Sequence, residues 1–123
     1  MDFEPSVEQK AVREAFARFS DQRIAPQAAA LDEARAFPRE LFRELASLGL
    51  FGMRYPEDVG GTGMALTQFC IALEEIARGS MSLAGAAAMQ SLMGTKFLHM
   101  LGNDDVVERL FKPALAGEKI GAI

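Results

Sequence analysis

The stretch ELASLGLFGMRYPEDVGGTGM, Glu44 to Met64, decides the fold. It ends a helix on Gly49, runs through Tyr55-Pro56-Glu57-Asp58 and closes on Gly60, Gly61 and Gly63. Its setting makes it specific. The amphipathic run PRELFRELASLG (38–49) precedes it, with Leu41, Phe42, Leu45 and Leu48 marking a buried face. Phe37-Pro38 predicts an extended residue followed by a proline at the first helical position, and Gly49 stands where a left-handed cap is needed. The run ALTQFCIALEEIARGSMS (65–82) follows, with Leu66, Phe69, Cys70, Leu73, Ile76 and Ala77 at helical spacing up to about Gly79. A phosphate cradle would need a strand before the glycines and a helix after them. The element before them is helical, so the glycines are expected to supply positive φ in a tight connection.

Towards the N-terminus, Ser6-Val-Glu-Gln9 has the spacing of a capping box and predicts a helix start. Val12, Phe16, Phe19, Ile24, Ala28 and Leu31 continue as an apolar stripe. Pro26 removes a backbone donor and crowds the preceding turn, which predicts a kink or helix junction near Ile24 to Gln27. Towards the C-terminus, no charged residue occurs from Gly79 to Thr95. A helix apolar on every side has to be surrounded by others, so this one is expected to be central. Gly102 and Asn103 supply a stop and a new N-cap, followed by Asp104 and Asp105 in a first turn. Val106, Val107, Leu110, Phe111 and Leu115 form the next apolar side, with Pro113 making its end irregular. Only Lys119 to Ile123 reads as strand. The predicted fold is all-α, a bundle of five or six helices ending at the start of a β-strand.

Composition narrows the function. The chain has 123 residues, half of them hydrophobic and 24% charged, enough for one domain with its own core. The net charge of −4 and the mixed signs leave no basic stripe to neutralise a phosphate backbone, so no nucleic-acid partner is expected. No apolar run reaches the length of a membrane span. The acidic N-terminus MDFEPSVEQK lacks the pattern of a secretory signal, which predicts a cytoplasmic or already processed chain. The single cysteine, Cys70, rules out an internal disulfide and reads as a small core residue beside Phe69 and Ile71.

The chain is poor in catalytic groups. His99 has no second histidine or cysteine at ligand spacing and reads as structural. Glu74 and Glu75 are adjacent on a helix and cannot converge as a carboxylate pair; Glu74 is instead spaced to pair with Arg78. The charge-free segment around Ser82 to Gly94 is more informative. Ala84, Ala88 and Leu92 lie one turn apart, with Ala87 and Ser91 beside them. Such small residues favour close helix packing or leave a slot for a long apolar ligand; from the residues alone, packing is the stronger reading.

In this order, YPEDVGGTG (55–63), LEEIARGSMS (73–82) and LAGEKIGAI (115–123) resemble the N-terminal helical domain of the acyl-CoA dehydrogenases. The resemblance runs from Ser6 to Ile123 and implies that residues 1–123 are this domain, with a middle β-domain and a C-terminal helical domain outside them. It implies an FAD-dependent enzyme that oxidises an acyl-CoA thioester to the 2-enoyl-CoA, with the catalytic carboxylate and most flavin contacts outside these residues. No catalytic, cofactor-binding or metal residue is therefore assigned here, and the segment alone is expected to be inactive. By the same resemblance Ala84, Ala87, Ala88, Ser91 and Leu92 border the acyl-chain pocket. The implied partners are the acyl-CoA substrate, the remaining domains in cis or in trans, an electron-transfer flavoprotein or similar acceptor, and further copies in a homo-oligomer. The implied place is the bacterial cytoplasm, or the mitochondrial matrix in a eukaryote. Gly79 stands where relatives often have aspartate, which is expected to loosen the join between two central helices, and Gln90 stands where several have histidine or asparagine. Acyl-CoA oxidases and flavin monooxygenases on this scaffold would share the domain. The competing class is a non-catalytic helical interaction module or one subunit of a split flavoenzyme.

Overall fold

A computed structural model describes residues 3–122. Its helices are α1 (Val7–Phe19), α2 (Ala25–Ala34), α3 (Arg39–Ser47), α4 (Leu66–Gly79), α5 (Met81–Met89), α6 (Lys96–Leu101), α7 (Asp104–Val106) and α8 (Lys112–Leu115). Single π-helical turns at Ser20–Ile24, Gln90–Gly94 and Val107–Phe111 fuse α1 to α2, α5 to α6 and α7 to α8. The described residues thus form five helical rods.

Local chemistry accounts for most of the boundaries. The capping box forms as expected: Gln9 N–H donates to Ser6 Oγ at 3.2 Å and Ser6 N–H donates to Gln9 Oε1 at 2.9 Å. Asn103 Oδ1 accepts from Val106 N–H at 3.0 Å and starts α7. Two π-turns end two residues before a proline, Pro26 and Pro113. A proline nitrogen has no hydrogen to give the carbonyl four residues back, and the wider turn accommodates the ring there. Pro38 caps α3 from outside, one position earlier than predicted. Gly49 has φ 84°, the left-handed cap that lets the chain turn out of α3.

Val12 and Phe16 of α1, Leu41, Phe42 and Leu45 of α3, Phe69, Ala72 and Ile76 of α4 and Leu83 of α5 share one core with Leu50, Phe51, Met53 and Tyr55 from the loop. The Phe42 and Phe51 rings lie 4.5 Å apart, which anchors the loop on α3. The loop closes on itself, and Gly61 is required by close approach: a Cβ there would lie 2.0 Å from the Tyr55 carbonyl oxygen.

Several expectations are corrected. Cys70 is exposed; it lies about 100° round α4 from Phe69, and Ala72 takes the buried position instead. Arg78 does not pair with Glu74. It bonds Glu75 at 3.0 Å and Asp21, while Glu74 pairs with Arg13 at 3.1 Å. Glu75 is itself buried and receives Arg13 as well, at 3.1 Å, so the carboxylate is held from both sides where α1 meets α4. Gly79 packs closely on the π-turn between α1 and α2, where a Cβ would lie 2.4 Å from Ser20 Oγ and 2.9 Å from Ile24 Cγ2. The charge-free helix α5 is covered on one side only, with Met81, Met89, Leu92 and Met93 exposed. No strand occurs among the described residues; Lys119 to Ala122 have no partner strand to pair with, and Ile123 lies outside the described residues.

Candidate substrate-facing helix

Helix α5 starts at Ser80, whose Oγ accepts from Leu83 N–H at 3.3 Å. Its inward face carries Leu83, Ala84, Ala87, Gln90 and Ser91, all buried. Its outward face carries Met81, Ser82, Gly85, Met89 and Leu92, all exposed. The same apolar strip continues into α6 through Phe97, Met100 and Leu101.

The five residues predicted to border a pocket therefore divide. Ala84, Ala87 and Ser91 turn into this domain's own core, Ala88 is half-buried and Leu92 is exposed at 41%. Ser91 Oγ finds no hydrogen-bond partner among the described residues. A cleft of about 660 Å³ lies at the start of α5, lined by Ala28, Leu31, Arg35, Ser80, Met81 and Leu83, and includes none of the five.

Polar groups behind α5 set its orientation. Tyr55, the only tyrosine, is 3% exposed; its hydroxyl donates to the Ser91 carbonyl at 3.2 Å and lies 2.8 Å from Thr95 Oγ1. Thr95 O–H in turn donates to the Gln90 carbonyl at 3.0 Å. These side chains satisfy carbonyls at the π-turn, where the i to i+4 ladder is interrupted. Burial pushes the Tyr55 phenol up from its ordinary value, the Thr95 hydrogen bond working against that. His99 lies against the Tyr55 and Phe111 rings, at 5.1 and 5.2 Å between centroids, a structural place as expected.

The sequence marked Gln90 as a polar residue in an apolar run, at a position where several relatives have histidine or asparagine, but not its role. In the fold it is 1% exposed, and its amide donates to the carbonyls of Ala114 and Lys119 at 2.9 Å each while accepting from Gly121 N–H at 2.7 Å. Gly94 and Gly121 meet backbone to backbone beside it; a Cβ on Gly121 would lie 2.5 Å from Gly94 Cα. Among the described residues there is no group of three or more His, Cys, Asp or Glu able to hold a metal, and no helix is long and apolar enough to cross a membrane.

This arrangement is that of the helical domain that opens the acyl-CoA dehydrogenases. Residues 6–118 match the acyl-CoA dehydrogenase N-terminal domain family, and the chain belongs to it. It is 76% identical, over all of its 123 residues and 33% of the relative, to a benzylmalonyl-CoA dehydrogenase of Aromatoleum aromaticum. It is 37% identical over 103 residues, 82% of this chain and 27% of the relative, to a 3-(aryl)acrylate reductase of Clostridium sporogenes. Its fold superposes with a TM-score of 0.90, at 31% identity, on a glutaryl-CoA dehydrogenase in complex with glutaryl-CoA, covering 98% of this chain and 31% of that one. The chain spans about a third of the length of the curated relatives it matches.

The family's flavin does not fit the glycine-rich loop. The N–H groups of Gly60, Gly61, Thr62 and Gly63 donate to the carbonyls of Glu57, Pro56, Gly52 and Tyr55, which leaves none of the four to cradle a pyrophosphate.

Proposed function

We propose that this chain is the N-terminal domain of an acyl-CoA dehydrogenase that oxidises an aryl-bearing acyl-CoA of the benzylmalonyl-CoA kind to an aryl 2-enoyl-CoA. The outward face of α5 carries the proposal: it is uncharged, exposed, and small at Gly85 between Met81 and Met89. Such a face suits a planar apolar group, and methionine sulfur adds favourable contacts at an aromatic ring edge. Support for an aryl group comes from the relative at 76% identity, named for benzylmalonyl-CoA, and from the one named for 3-(aryl)acrylate.

In this reading Ala88 and Leu92 meet the acyl group directly. Ala84, Ala87 and Ser91 act from behind, their small side chains seating α5 close against the core. The domain's work is to hold the acyl chain and keep water from it. FAD and the catalytic carboxylate are supplied by parts of the dehydrogenase outside these residues. The exposed apolar strip of Phe97, Met100 and Leu101 supports a contact with those parts. The enzyme acts in the cytoplasm as a homo-oligomer and passes electrons to an electron-transfer flavoprotein or a similar acceptor.

The test is anaerobic mixing of the full-length flavin-loaded enzyme with benzylmalonyl-CoA or with butyryl-CoA. Bleaching of the flavin at least about tenfold faster by the aryl substrate, a difference of about 1.4 kcal/mol in barrier, is expected. Bleaching by neither substrate refutes the dehydrogenase reading, and preference for the straight chain refutes the aryl assignment.

A further inference from the structure

Gln90, in the π-turn that continues α5, is buried on the side away from the exposed Gly85 and Leu92, and its side chain is bonded to three backbone points far along the chain. Ala114 belongs to α8, while Lys119 and Gly121 belong to the non-helical segment that follows it. The geometry requires two donors and one acceptor at the end of a side chain of this length. A primary amide supplies both. Glutamate has the shape but would set a carboxylate against two carbonyl oxygens, and methionine has the shape but no polar group. The Gly94–Gly121 contact removes slack from the same junction, since neither residue has room for a side chain.

We propose that Gln90 is a positioning residue for the dehydrogenation. It locks the rotation and depth of α5 to the segment after α8, and so fixes where Gly85, Ala88, Met89 and Leu92 hold the acyl group relative to the reacting centre. The inference rests on the acyl-CoA reading above. A small misplacement of a bound substrate lowers the rate far more than it lowers binding, and about 1 Å is enough for a loss on the order of 100-fold. Breaking the clasp therefore acts on kcat, whereas loss of a lining contact acts on KM.

The experiment compares full-length Gln90→Glu and Gln90→Met with wild type, measuring kcat and KM for benzylmalonyl-CoA per mole of bound flavin, together with hydrogen exchange at the Gly121 amide. Expected are faster Gly121 exchange in Gln90→Met, which has no oxygen to accept that N–H, and in both variants a kcat lowered about 10- to 100-fold and a KM within about threefold of wild type. If kcat stays within about twofold in both variants although the Gly121 amide is freed in Gln90→Met, Gln90 is merely structural and the inference is overturned. Failure of both variants to yield flavin-loaded protein assigns Gln90 to folding and overturns it as well. A wild-type enzyme that oxidises no acyl-CoA defeats the functional reading and this inference with it. A competent wild type with unimpaired variants defeats the inference alone.

Discussion

Alanine at Gly79 and alanine at Gly85 are the same chemical change in adjoining helices, yet the packing predicts effects of opposite sign. At Gly85 a Cβ would meet nothing within 4 Å. An exposed glycine inside a helix is less favourable than alanine by about 1 kcal/mol or a little less, so Gly85→Ala stabilises the chain by about 0.5–1 kcal/mol. At Gly79 the added carbon would sit 2.4 Å from Ser20 Oγ, 2.9 Å from Ile24 Cγ2 and 3.0 Å from Ile24 Cβ. The serine hydroxyl can rotate away. The Ile24 Cβ cannot, being fixed to the π-turn backbone of a fully buried residue. Overpacking of this kind costs about 1–3 kcal/mol, and the propensity gain in the last turn of α4 offsets only part of it. A net loss of about 1–2 kcal/mol is expected, which separates the two variants by about 1.5–3 kcal/mol. Urea unfolding of the 123-residue chain, followed by circular dichroism with a common m-value, measures that gap. A Gly79→Ala variant as stable as Gly85→Ala would refute the close packing of α4 on the π-turn.

Other perturbations probe the site and its supports. Gly85→Leu leaves the stability of the domain unchanged or raised, because the side chain enters open space, but in the full-length enzyme it lowers kcat/KM for an aryl acyl-CoA by about tenfold or more, measured against butyryl-CoA as a less affected control. Tyr55→Phe removes the hydroxyl that bonds the Ser91 carbonyl and costs about 1–2 kcal/mol in urea unfolding. Because burial raises the Tyr55 pKa, its contribution is present below the ordinary tyrosine value of about 10 and is lost as pH rises through the folded value; tyrosinate absorbance should therefore appear only above about pH 10, together with unfolding. At the acid end, the Arg78 hydrogen bond lowers the Asp21 pKa and the Arg23 hydrogen bond lowers that of Glu44. Their stabilisation is present above about pH 4 and is lost as pH falls through the depressed values, so Arg78→Met should flatten the acid limb of a urea-midpoint profile.

What was legible in the sequence follows the range of the interactions. The Ser6–Gln9 capping box, the Gly49 cap and the Asn103 cap act within a few residues, and each appears where the local pattern puts it. The prolines at 26 and 113 likewise marked the irregular turns before them. The π-turn at Gln90–Gly94 has no proline, and its support comes from Tyr55, some 36 residues earlier. Helical spacing placed an apolar stripe on α4 but did not separate Cys70 from Ala72 at the stripe's edge. Glu75 looked equivalent to Glu74 because its burial depends on Arg13 from another helix. At the candidate site, the family pattern pointed to α5. Which of its faces turned outward depended on what α5 packs against, and Ala84 and Ala87, indistinguishable from Ala88 in sequence, proved to be inward.

The most direct test of the account is a crystal structure of the full-length enzyme with a non-reactive aryl acyl-CoA analogue. The aryl group is expected within about 4 Å of Gly85, Met89 and Leu92, with Ala84, Ala87 and Ser91 turned away from it and Gln90 still clasping Lys119 and Gly121. An outward face of α5 packed wholly against protein, with the acyl group bound elsewhere, would contradict it.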